Sequence, residues 1–117
     1  MKKIYHLGSC DTCRRILKEI APGPDTVLQD IGQHPVSAEQ LDEMYHLAGS
    51  YEALLNKRAR LYAQRGLKNQ ALEEADYRQL LLEHYTFLKR PVVLAGGQIF
   101  IGNSPKTVSA AKEALRP

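Results

Sequence analysis

The amino-acid sequence predicts an α/β fold interrupted by an all-helical insertion, on three observations. Two short apolar runs near the start, "KKIYHL" and "DTVLQDI", bracket a stretch with helical spacing. Two more, "RPVVL" and "QIFIG", flank Gly96-Gly97 near the end and lead into a last helical stretch. Between these regions, residues 36–85 are charged, helix-patterned and nearly free of strand signals. Apolar and aromatic runs bounded by turn residues mark strands, whereas apolar residues three and four apart mark one helix face.

In chain order, "KKIYHL" ends at Gly8 and predicts a first strand running into a loop. "TCRRILKEIA" places Cys13, Ile16, Leu17 and Ile20 at helical spacing, and "PGP" at 22–24 stops that helix. "DTVLQDI" at 25–31 is the second strand. Strand, helix and strand of these lengths make a βαβ unit, whose strands run parallel. Ser37 and Gln40 form an S-x-x-Q capping box ahead of Leu41, Met44, Tyr45 and Ala48, and Gly49 ends that helix. "YEALLNKRARLYAQRGL" reads as one or two short helices closed by Gly66. "EEADYRQLLLEHY" is a further helix with acids in its first turn and His84 in its last, as the helix dipole favours. Gly96-Gly97 suits a two-residue type I′ hairpin turn, in which both central residues need positive φ. Ser104 then caps a C-terminal helix with Pro105 at its first position. Removing the helical block leaves βαβ followed by ββα, so the domain reads as a core of 1–35 and 86–117 with an insertion at 36–85.

At 117 residues the chain is one domain, large enough to bury a core without disulfide staples. Its 44% hydrophobic and 25% charged residues are ordinary globular usage. A net charge of +3 spread along the chain is too small to indicate nucleic-acid binding. The N-terminus lacks an apolar run of signal-peptide length, and no stretch has membrane-span length, so a cytoplasmic protein is expected. Two cysteines three residues apart in a reducing compartment point to catalysis, redox sensing or metal binding rather than to a staple. A zinc site would need two further ligands. Only His6, His34, His46 and His84 are available, without a second C-x-x-C, so no metal is expected.

The C-x-x-C between the first strand and first helix is the arrangement of the thioredoxin-like fold, and beside a βαβ pattern it reads as a redox motif. Cys10 precedes the helix, where its sulfur faces open backbone N–H groups; Cys13 lies about one turn inside and is the more buried. The exposed thiol at a helix N-terminus is the one whose pKa falls. An ordinary thiol near 8.5 is only about 3% ionised at pH 7, and lowering it to ~6.5 multiplies the thiolate roughly 25-fold. Cys10 is therefore the expected nucleophile and Cys13 the resolving thiol. Arg14 and Arg15 in the first turn are unusual, because cations there oppose the helix dipole by roughly 0.3–1 kcal/mol each. They call for an anionic partner, and a Cys10 thiolate is the obvious candidate.

Three segments, "IYHLGSCDTCR" at 4–14, "ALLNKR" at 53–58 and "FLKRPVVLAGGQIFIG" at 87–102, resemble the arsenate reductase family, which includes the Spx-type redox regulators. The resemblance spans nearly the whole chain, insertion included. It implies that Arg14 lies beside the nucleophile, that Arg90 reaches the same pocket, and that the bond before Pro91 is cis. It also assigns His6 and Arg58 to substrate binding with Arg90 and Pro91, so that Arg14, Arg58 and Arg90 form a cationic pocket over Cys10. Glutathione-dependent members carry a non-thiol residue at the position of Cys13 and an Arg near that of Asn56; "LLNKR" with Arg58 is closer to the Spx-type and uncharacterised branches.

Two functions follow from the resemblance. One is a thiol oxidoreductase acting on an oxyanion such as arsenate or on a disulfide, with no bound cofactor and with glutathione, glutaredoxin or thioredoxin as external reductant. The alternative is a Spx-like regulator whose helical block docks on RNA polymerase and whose cysteines act as a redox switch. Direct nucleic-acid or membrane binding is not expected in either case.

Overall fold

The computed structural model describes residues 1–117. Four strands, β1 (Lys2–His6), β2 (Thr26–Asp30), β3 (Val92–Ala95) and β4 (Gln98–Ile101), form one sheet in the order β2-β1-β3-β4. β1 pairs with β2 in parallel, while β1–β3 and β3–β4 are antiparallel. The chain divides into two compact units, Met1–Pro35 with Arg90–Pro117, and Val36–Lys89.

The first unit contains the sheet with helices α1 (Asp11–Ile20) and, from the chain's end, Pro105–Ala114. Its core joins Ile4 of β1, Ile16 and Ile20 of α1, Val93 and Ala95 of β3, and Val108, Ala111 and Leu115 of the C-terminal segment. Helix spacing of three and four thus meets strand spacing of two across one interface, and the burial of those side chains is the main stabilising term. The hairpin is of the predicted kind: Gly96 and Gly97 have φ of 57° and 75°. Ser104 accepts the Thr107 N–H, with Pro105 at the first helical position. With the insertion set aside, βαβ followed by ββα is the thioredoxin-like order that the sequence predicts.

The second unit holds α2 (Ala38–Ala48), α3 (Arg60–Gln64) and α4 (Glu74–Glu83), joined by short 3-10 turns; the C-terminal helix is then α5. Ser37 and Gln40 make the capping box in both directions, and Gly49 closes α2 at φ 90°. The "YEALLNKRARLYAQRGL" stretch holds two short helical segments as expected, a 3-10 turn at Glu52–Leu54 and the five residues of α3, with Gly66 following at φ 64° and irregular backbone between them. The backbone of this segment is bonded elsewhere: Asn56 N–H donates to the Phe87 carbonyl at 2.7 Å, and Lys89 N–H to the Leu54 carbonyl at 2.9 Å. The Asn56 side chain also accepts the Arg58 N–H at 3.0 Å, an Asx turn that competes with helix. These same bonds keep residues 86–89 with the helical unit, so the return to the sheet comes at Arg90. His84 lies just past α4 rather than in its last turn; its backbone is extended and its Nδ1 accepts the Thr86 N–H. No helix is long and apolar enough to cross a membrane.

Asp42 binds this unit together. Arg78 donates to it twice, at 3.0 and 3.1 Å, and the Tyr51 hydroxyl donates at 2.6 Å. Two parallel N–H donors on one carboxylate give directional, charge-assisted bonds.

Candidate active site at the cysteine turn

Strand topology decides where the chemistry collects. β1 leads out of the sheet at His6, and its parallel neighbour β2 ends opposite at Asp30. β3 runs the other way, with Val92 opposite Tyr5, so that Arg90 and Pro91 arrive where β1 departs. Three separate stretches of sequence, 6–14, 30–34 and 90–91, therefore meet at one end of the sheet. The Arg90–Pro91 bond is cis, and the Pro91 carbonyl accepts the Gly102 N–H at 2.9 Å.

The chain leaving β1 makes a tight turn in which Cys10 N–H donates to the Leu7 carbonyl at 3.0 Å, and α1 starts at once. Cys10 is the N-cap of α1, in extended conformation. Both cysteines are free thiols. Cys10 is half-buried, whereas Cys13 is 0% exposed among the core residues.

The two sulfurs have opposed environments. Partial burial pushes the Cys10 thiol up, but the Cys13 N–H, the Cys13 thiol and the Thr12 N–H all donate to it, and the Arg90 guanidinium adds its charge; the net result is below the ordinary value. Burial pushes the Cys13 thiol up, and the charge on Cys10 pushes the same way, outweighing the Leu7 backbone bond and Arg90. Backbone N–H groups at a helix start are donors without intrahelical partners, so a sulfur placed at the N-cap receives them.

The arginines do not all turn toward the sulfur. Arg14, an exposed side chain, ion-pairs with Asp11 and donates to the Gly8 carbonyl at 3.4 Å. The anion expected to meet this first-turn cation is thus supplied by Asp11. Arg15 lines an open groove of about 610 Å³ between α1 and α5 with Thr12, Glu19 and Lys112. Arg90 is the guanidinium whose charge reaches both Cys10 and Cys13. Arg58 belongs to the helical unit, where its side chain is exposed. His6 ends β1 with its Nδ1 buried and without a hydrogen-bond partner. No cluster of three His, Cys, Asp or Glu side chains is arranged to hold a metal ion.

Asp30 is a residue of this end that sequence reasoning passed over. Its carboxylate accepts the N–H groups of Gly8 and Gly32, which hold it below the usual carboxylate range against the opposing effect of burial, with the charges of His6 and His34 lowering it further. In sequence it is only the end of a strand candidate; the parallel register that sets it opposite His6 was the missing signal.

Comparison with known proteins agrees with this architecture. The ArsC family description matches residues 5–111. The uncharacterized protein YfgD of Escherichia coli is 30% identical over 111 residues, covering 91% of this chain and 92% of that protein. The arsenate reductase of Haemophilus influenzae is 26% identical over 108 residues, covering 90% and 93% respectively. The solved structure of the arsenate reductase from Vibrio cholerae superimposes with a TM-score of 0.78 at 22% identity, covering 97% of each chain, and shows the same fold. A match over most of the chain, on a sheet that brings a C-x-x-C turn and an Arg-Pro segment together, places this protein in the ArsC family.

Proposed function

We propose that the chain is a two-cysteine thiol oxidoreductase in which Cys10 attacks an oxidised substrate and Cys13 resolves the intermediate. The observation that carries this reading is the divergence of the two thiols: the accessible one is made acidic and the buried neighbour is kept protonated. Paired titratable groups pushed apart by their surroundings mark separate chemical roles.

With a disulfide substrate, the Cys10 thiolate forms a bond to one sulfur, the substrate S–S bond breaks, and the other sulfur leaves as a thiolate. Cys13 then passes its proton to the released substrate thiolate and attacks Cys10 Sγ. The mixed disulfide breaks, the second substrate thiolate leaves, and a Cys10–Cys13 disulfide remains. Two electrons have passed from the protein to the substrate. With arsenate, Cys10 displaces a protonated arsenate oxygen as water to give a sulfur–arsenic bond. Attack by Cys13 on Cys10 Sγ sends that bond's electron pair away with arsenic, which leaves as arsenite. An external thiol, glutathione or a protein dithiol of the glutaredoxin or thioredoxin kind, returns the two electrons. Arg90 fits both versions, since it favours the thiolate and offers a planar set of donors to an oxyanion.

The test is steady-state reduction of arsenate and of a small disulfide, with glutathione or thioredoxin supplied, in wild type, Cys10→Ser and Cys13→Ser. Loss in both variants with thioredoxin as reductant is the expected result. No turnover of either substrate by wild type, with either reductant, would overturn the enzymatic reading and leave the polymerase-binding regulator as the account to pursue.

A further inference from the structure

The turn that delivers Cys10 is held by groups outside it. Leu7, Gly8, Ser9 and Cys10 form the turn closed by the Cys10 N–H to the Leu7 carbonyl. Gly8, near its centre, is held at both of its backbone polar groups: its N–H faces the Asp30 carboxylate, and its carbonyl accepts from Arg14 Nη1 at 3.4 Å. Asp30 approaches so closely that a Cβ on Gly8 would stand 2.4 Å from Oδ2. Gly32 serves the other oxygen, donating its N–H to Oδ1 at 3.0 Å, and a Cβ there would meet Oδ1 at 3.3 Å and Leu7 Cδ1 at 2.9 Å. The carboxylate thus sits between two glycines, on bare backbone, at the end of β2.

We infer that Asp30 is a positioning residue for the nucleophile: its carboxylate anchors the Gly8 peptide to the sheet and so fixes the turn that aims Cys10 at the N-terminus of α1. This rests on reading Cys10 as the nucleophile. The Cys10 sulfur gains its acidity from hydrogen bonds to Thr12 and Cys13, which depend on direction, and a loosened turn weakens all of them together. Simple charge predicts the reverse. An anion near a thiol disfavours the thiolate, so removing Asp30 would make Cys10 more acidic if charge alone mattered. The sign of the change separates the two roles. The other groups in play are Cys13 and Arg90 at Cys10, His6 on β1 and His34 after β2 at Asp30, and the Arg14–Asp11 pair at the Gly8 carbonyl.

The experiment measures the Cys10 thiol pKa, from the pH dependence of alkylation, in the full-length wild type, Asp30→Ala and Asp30→Asn. The expected result is a rise of about one unit in Asp30→Ala, which reads as alkylation roughly tenfold slower below the wild-type pKa. Asp30→Asn keeps one acceptor oxygen and rises less. An unchanged or lowered pKa in both variants overturns the inference; if Asp30→Ala does not fold, a rise in Asp30→Asn supports it and no rise overturns it. A wild-type Cys10 that titrates as an ordinary thiol would instead sink the enzymatic reading, and this inference with it. An acidic wild-type Cys10 indifferent to Asp30 sinks this inference alone.

Discussion

Replacing Cys13 by alanine and by serine separates its hydrogen bond to Cys10 from the resolving step proposed for the same side chain. The Cys13 thiol donates a hydrogen bond to Cys10 and ranks, with the backbone N–H groups of Cys13 and Thr12, ahead of the Arg90 charge among the effects that make Cys10 acidic. Alanine removes that donor and leaves both N–H groups in place. A hydrogen bond to a charged group contributes about 1.5–3 kcal/mol, with a weak S–H donor at or below the low end. At 1.36 kcal/mol per pKa unit, the Cys10 thiol should rise by about one unit in Cys13→Ala. Serine keeps an O–H donor at the same place, so Cys13→Ser should hold Cys10 near its wild-type acidity while being unable to close the disulfide. Arg90→Gln should move the thiol by less than the alanine change, since a charge beside a half-exposed group is screened by water and salt. The assay is the ultraviolet absorbance of the thiolate followed against pH, paired with mass spectrometry after reaction with a small disulfide. Cys13→Ser should accumulate a mixed disulfide on Cys10. The reasoning is refuted if Cys13→Ala titrates with wild type, or if Arg90→Gln produces the larger shift.

Three predictions concern stability. Arg78 first, and then Tyr51, hold the Asp42 carboxyl at about 2 against an ordinary 3.8. A depressed folded-state pKa gives stability that is fully present above the unfolded value and is lost as pH falls through 3.8 toward about 2. Asp42→Asn should therefore lower the melting temperature at neutral pH, with the gap to wild type closing through that acid window. Ser37→Ala removes the side-chain half of the α2 capping box and should cost about 1 kcal/mol in urea unfolding. Ile16→Ala opens a cavity in the core shared by α1, α5 and the sheet, where the side chain is 2% exposed, and should cost about 2–5 kcal/mol by the same measurement.

Much of the architecture is legible because local chemistry specifies it. Gly96-Gly97 supplies positive φ where a hairpin needs it, Ser37 and Gln40 satisfy the first N–H groups of α2, and Ser104-Pro105 starts α5. Each of these signals acts over a few residues, so a linear reading finds it. In the stretch 51–66 the two short helices are legible, but the irregular backbone between them is not, because it takes partners from 87–89 that a local pattern does not contain. The same limit applies at the site. The C-x-x-C spacing and the helix that follows it point to Cys10 and Cys13 directly, but proximity to a cation does not follow from adjacency in sequence. Arg14, four residues from Cys10, pairs with Asp11, whereas Arg90 acts on the sulfur from the far end of the chain.

Local sequence patterns were enough for most of the helices and strands, for the insertion between two halves of an α/β core, and for the thiol pair at the start of α1. Tertiary structure decided which charges and carboxylates surround that pair, because strand order and register bring Asp30 and Arg90 to the end of β1. Hydrogen bonding and Coulomb attraction depend on distance in space. The turn at Cys10 receives its environment from strands that are neighbours in the sheet and distant along the chain.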